Sequence, residues 1–102
     1  MRTMITITVP VESGNRAIKD GAIERTIGKF VEQFRPEASY FYTRNGLRTG
    51  QFVFEMKDPS QYPAIAEPFF INLGASVDFV PVMNADELKR GLEAALSAKA
   101  YA

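Results

Sequence analysis

The sequence holds no cysteine, no histidine and no tryptophan. Without a thiol or an imidazole, cysteine nucleophiles, Ser-His-Asp triads, histidine general bases and the usual zinc sites are all excluded. There is no surplus of either charge: Lys plus Arg is 12 and Asp plus Glu is 12. A general nucleic-acid binder needs excess cations to neutralise phosphates, so no nucleic-acid partner is expected. No apolar run approaches the length that spans a bilayer, so no membrane partner is expected either. The stretch from Met1 to Val11 has no long apolar segment and no small-residue cleavage pattern, which points away from a signal peptide and toward a cytoplasmic protein. Neither GxGxxG nor GxxxxGK[ST] occurs, and no clustered acids offer a metal site, so no cofactor is expected.

What is present is enough apolar material for a core. The chain has 102 residues, of which 46% are hydrophobic, and reads as a single domain over residues 1–102. Met4 to Val9 alternates apolar and hydroxyl side chains, mostly β-branched, as a half-buried strand does, and Pro10 removes a ladder donor near its end. Glu12-Ser13-Gly14-Asn15 has the composition of a turn, and Asn15 to Lys19 that of a separate helical turn. Asp20 is the expected cap of a longer helix whose stripe is Ile23, Ile27, Phe30, Val31 and Phe34. Ile18 faces well away from that stripe if the helix is extended back to it. Pro36 ends the helix by pushing Arg35 toward an extended conformation.

Ser39 to Arg44 and Gln51 to Met56 are rich in aromatic and β-branched residues, and Asn45-Gly46 between them is a strong hairpin signal. A two-residue turn sets Arg44 opposite Leu47, Tyr42 opposite Thr49, Phe41 opposite Gly50, Tyr40 opposite Gln51 and Ser39 opposite Phe52. One face then carries Phe41, Phe52, Phe54 and Met56, a core face. The other carries Tyr40, Tyr42, Arg44, Gln51, Val53 and Glu55. Asp58-Pro59-Ser60-Gln61 opens a further helix with Asp58 as cap. Pro68 removes a donor and crowds Ala64, so a break is expected before Phe69, and Gly74 is the left-handed stop. Ser76 to Met83 reads as an edge strand, because Pro81 cannot donate to a neighbour. Asn84 to Glu87 is a capping box for a last helix with the stripe Leu88, Leu92, Ala95 and Leu96, fraying from Ala98 to Ala102.

The order strand, helix, strand, strand, helix, strand, plus a C-terminal helix, is the ferredoxin-like βαββαβ plan of an α+β protein. Right-handed crossovers place the first strand beside the third and fourth, with the helices on one sheet face. The face with Tyr40, Tyr42 and Val53 then has no element of the chain to cover it. Sheet-against-sheet homodimerisation is the simplest way to cover it.

In the residues Tyr40-Phe41-Tyr42-Thr43, Asn45-Gly46, Phe52 to Pro59 and Pro81 to Ala85, the chain resembles the dimeric α/β-barrel superfamily. Within it, the resemblance is to a group of small bacterial proteins of unknown function. It implies a ferredoxin-like protomer paired into a barrel. The superfamily includes cofactor-free monooxygenases, muconolactone-type isomerases, haem-degrading enzymes and ligand-sensing domains, and so fixes no chemistry by itself. Many of its enzymes use a histidine, and this chain has none, which weighs against haem degradation.

Tyr40, Tyr42 and Arg44 project to one side of one strand and, with Gln51 and Glu55, form the candidate ligand site. Aromatic walls with a few convergent polar groups suit a small aromatic or anionic ligand, which Arg44 would hold by paired hydrogen bonds. The same residues equally suit a dimer interface, which also enriches Tyr and Arg. Glu55 and Asp78 read either as proton carriers or as salt-bridged and solvated carboxylates. No catalytic residue is assigned. The functional expectation is a dimeric protein that is non-catalytic or binds a small molecule. The alternative is a cofactor-free monooxygenase or isomerase acting on an aromatic or enolisable compound.

Overall fold

The alternating β-branched run at the start of the chain does form a strand, β1 (Arg2–Val9), and a turn through Pro10 leads into helix α1 (Val11–Lys19). Then come helix α2 (Ala22–Phe34), strands β2 (Ala38–Arg44) and β3 (Leu47–Glu55), helix α3 (Tyr62–Leu73), strand β4 (Ser76–Pro81) and helix α4 (Ala85–Ala98). A computed structural model describes residues 1–99. The strands form one antiparallel sheet in the order β2-β3-β1-β4, as the right-handed crossovers require, with β4 at an edge. This α+β arrangement is compatible with a ferredoxin-like fold. No helix among the described residues is long and apolar enough to cross a membrane.

The hairpin follows the sequence register residue for residue. Tyr40 pairs with Gln51, Phe41 with Gly50, Tyr42 with Thr49, and Arg44 with Leu47. Asn45 and Gly46 both have positive φ, which matches the twist of the flanking strands. Ile5, Ile7, Phe52 and Phe54 point from the sheet into a core closed by Ala17 of α1, Phe30 of α2 and Ile65, Phe69 and Leu73 of α3. Phe30 sits at its centre, with ring centroids of Phe52 at 4.9 Å and Phe54 at 5.4 Å. The buried threonines are satisfied: Thr26 Oγ1 accepts from Asn72 Nδ2 at 3.2 Å, and Thr49 Oγ1 donates to the Leu47 carbonyl at 3.1 Å.

Several local expectations are corrected. Val11–Lys19 is a continuous helix rather than a turn cluster followed by one helical turn. Gly14, read as a turn residue, is instead buried within that helix, where a Cβ would lie a tight 3.1 Å from Val9 Cγ1. Asp20 ends α1 instead of capping α2; Gly21 takes the cap position at φ 79°, although Asp20 Oδ1 still accepts from the Ala22 amide at 2.9 Å. The buried face of α2 is Ala22, Thr26 and Phe30, and Val31 turns outward. Arg35 is left-handed at φ 45°, not extended, and its amide donates to Val31. Pro68 does not break α3, which runs through it. Pro68 and Ala64 are both exposed, so the Ala64 carbonyl that loses its intrahelical donor can meet water. β3 begins at Leu47, and β4 stops at Pro81 instead of reaching Met83.

The Asn84–Glu87 capping box is present. The α4 stripe, however, is left largely uncovered by the described residues: Leu88, Leu92 and Leu96 are between 47% and 60% exposed. The helix stays regular through Ala98, and the rest of the expected frayed end lies mostly outside the described residues.

Candidate functional site

Strand alternation separates most of the residues expected to bind a ligand from an apolar cleft on the other side of the sheet. Tyr40, Tyr42 and Arg44 of β2 and Gln51 and Glu55 of β3 share the sheet face away from the core, as the register requires. On that face Tyr40 is 69% exposed. Gln51 is engaged with β1, its Nε2 donating to Thr6 Oγ1 at 3.2 Å. Arg44 lies at the turn end and makes no ion pair among the described residues. Glu55 lies at the other end, opposite Arg2, where its exposed carboxylate pairs with the Met1 amine. Arg44 and Glu55 are therefore not brought together.

Charge on this side gathers at the Glu55 end. Arg2 Nε donates to Glu37 at 2.7 Å, and its Nη1 pairs with Glu87 at the start of α4. The hydrogen bond that Arg2 donates to Glu37 raises the Arg2 pKa. The Asn84 amide, donating to the Glu87 carboxylate at 3.0 Å, helps hold that carboxyl below its ordinary value. These contacts tie the first turn of α4 to β1.

The opposite face holds a cavity. An open apolar cleft of about 340 Å³ lies between the β2–β3 hairpin and helices α1 and α2. It exists because the helix layer stops short of β2, every residue of which is exposed except Ala38. Gly50 lies on its floor, and a Cβ there would lie 3.3 Å from the Phe41 ring. Phe41 forms the outer wall: it is 59% exposed and stands edge-on to Phe52, with centroids 5.6 Å apart. Ile7 and Val9 of β1 and Leu73 of α3 border it from the sheet and core side, and Ile18, Ile23 and Ile27 from the helices. The reversal at Asp20-Gly21 brings Ile18 to the same cleft as Ile23, which accounts for an apolar residue that fits no single-helix stripe. Of the expected ligand residues, only Tyr42 borders this cleft.

Among the described residues, the one charged residue bordering the cleft is Arg48. Its Nη2 donates to Asn15 Oδ1 at 3.1 Å, and its Nη1 lies over Gly14, 2.5 Å from where a Cβ would be. Sequence reasoning passed over Arg48, although the hairpin register sets it opposite Thr43 and hence on the face of Phe41 and Phe52. Thr43 and Thr49 also border the cleft. A guanidinium and hydroxyl-bearing residues beside apolar walls can bind and orient a small molecule. No carboxylate borders the cleft to act as a general base. Among the described residues, no group of potential metal ligands is large enough to hold an ion. The chain matches no family model and no curated protein.

Proposed function

We propose that the protein is a small-molecule-binding homodimer of the dimeric α/β-barrel type, with a ligand site in the helix-side cleft of each protomer. The observation that carries this reading is the cleft itself. Its volume of about 340 Å³ falls in the range of small-molecule pockets, and its walls are mostly Ile, Val and Phe with few polar groups. A glycine on its floor gives the Phe41 ring, its outer wall, room to lie against the sheet: a Cβ there would stand 3.3 Å from that ring.

The uncovered sheet face and the exposed stripe of α4 support pairing with a second copy. Tyr40, Tyr42 and Val80 place apolar surface on the outer face of the sheet, and Leu88, Leu92 and Leu96 add more on α4. A lone soluble chain rarely leaves so much apolar surface in water. The cytoplasm is the compartment that fits this reading.

Fluorescence titration with N-phenyl-naphthylamine, a neutral apolar probe, tests the ligand site. The wild type should bind with enhanced emission, and Gly50→Leu should lose binding while its far-ultraviolet circular dichroism is unchanged. Gly50 does not need a positive φ, so the larger residue is acceptable to the backbone and acts by displacing the exposed Phe41 ring that forms the outer wall. Equal binding by both proteins would refute the site.

A further inference from the structure

We infer that the cleft selects amphipathic carboxylates, small molecules with an apolar body and one carboxylate end, and that Arg48 is the residue that chooses them. This rests on the proposed ligand site and names its ligand class. The apolar walls accept the body of many compounds and do not discriminate among head groups. Among the described residues, Arg48 is the only charged one that borders them.

The placement of Arg48 favours anion recognition over mere surface solvation. A guanidinium has five N–H donors, and the Asn15 contact accounts for a donor on one nitrogen. No carboxylate among the described residues pairs with Arg48, so no internal anion must be displaced. Asn15 is neutral, and it holds the group without cancelling its charge. Gly14 supplies the room: any side chain there would meet Nη1 and push the guanidinium from its position. The remaining donors form a planar fork that matches a carboxylate, and they stand at the exposed rim of the apolar walls, where an entering head group can reach them. A cation would meet like charge at the same rim. Carboxylate recognition and cation rejection thus arise from one side chain on β3, fixed by two consecutive residues of α1.

Displacement of N-phenyl-naphthylamine by naphthoate, naphthylmethanol and naphthylmethylammonium tests the inference, because these differ chiefly in the head group. In the wild type, naphthoate should displace the probe about tenfold better than the alcohol, and the ammonium should be the weakest. Arg48→Met should bring acid and alcohol to parity while leaving the alcohol's affinity unchanged. Arg48→Lys, which keeps charge but loses the fork, should retain part of the preference. Gly14→Ala should also reduce it, by moving the guanidinium. A wild type that treats acid and alcohol alike, or an acid preference undiminished in Arg48→Met, overturns the inference and leaves the apolar site standing. Failure of the wild type to bind the probe or any of the three compounds overturns the site and the inference together.

Discussion

Replacing Phe30 by alanine removes the ring at the meeting point of the core. Phe30 is 4% exposed, and its ring lies 4.9 Å from Phe52, 5.3 Å from Phe34, 5.4 Å from Phe54 and 5.8 Å from Phe69. Truncating a buried Phe costs about 3–5 kcal/mol, from lost transfer energy and the cavity left behind. Aromatic pairs add about 0.5–1.5 kcal/mol each beyond burial, but they share atoms and do not sum. With neighbours on the sheet and on two helices, collapse into the gap is limited, and a loss of about 4–5 kcal/mol is expected. That is a large share of the roughly 5–15 kcal/mol that holds a domain together. At about 4–8 °C per kcal/mol, the melting temperature should fall by about 20 °C or more. Val31 is the control. It is the next residue on α2, but at 39% exposure it should cost under about 1 kcal/mol when replaced by alanine. Urea unfolding followed by circular dichroism gives both values, at one protein concentration because the proposed dimer would add to stability. A loss below about 2 kcal/mol for Phe30→Ala, or equal losses for the two variants, would refute the placement of the buried face of α2.

Pro68→Ala should raise stability by about 1–3 kcal/mol, since it restores a donor inside a helix that is already continuous; a lower melting temperature would contradict that geometry. Tyr42→Glu should weaken the dimer by about a hundredfold or more, by burying an unpaired charge; sedimentation of the wild type as a monomer at micromolar concentration would remove the premise. Acidification should loosen the start of α4. Glu87 and Asp58 have lowered pKa values in the folded protein, the first from the Asn84 amide and the second chiefly from the Ser60 hydroxyl. Their contribution is therefore full above the unfolded carboxylate pKa and is lost as pH falls through the folded one. Amide protection at the first turn of α4, relative to the intrinsic exchange rate at each pH, should fall below about pH 4, and Glu87→Gln should reduce that pH dependence; an unchanged profile would contradict the role of Glu87.

The parts of the fold set by local chemistry were legible in the sequence. Asn45-Gly46 fixed the hairpin, and with it every cross-strand pair from Ser39 to Leu47. Gly74 and the Asn84–Glu87 box marked helix ends by backbone and capping geometry that depends on few neighbours. The misread segments are those decided by tertiary packing. Ser13, Gly14 and Asn15 have turn-like composition, yet Gly14 packs tightly against Val9 and Arg48, and Asn15 accepts a hydrogen bond from Arg48. Pro68 carries a penalty that water at Ala64 can relieve, and no local pattern shows which carbonyls face solvent.

The candidate site was half legible. Alternation along β2 and β3 correctly separated the Tyr40 face from the Phe41 face, and drew the search for a ligand to the aromatic one. The cleft arises on the other face, from where the helix layer ends, which depends on the packing of α1 and α2 rather than on the strand pattern. Two residues signalled it in advance: Ile18, apolar but outside every stripe, and Arg48, charged but on the core side of the register.

The most direct test of the cleft as ligand site is a methyl-resolved NMR titration with naphthylmethanol, whose neutral head makes no appeal to Arg48. The isoleucine methyls of Ile7, Ile18, Ile23 and Ile27 border the cleft, whereas Met4, Val53 and Val80 report on the outer sheet face. Saturable shifts at those isoleucines, with the outer-face methyls unmoved and the whole response lost in Gly50→Leu, are the predicted result. Saturable shifts confined to Met4, Val53 and Val80 would contradict it and return the ligand site to the tyrosine face.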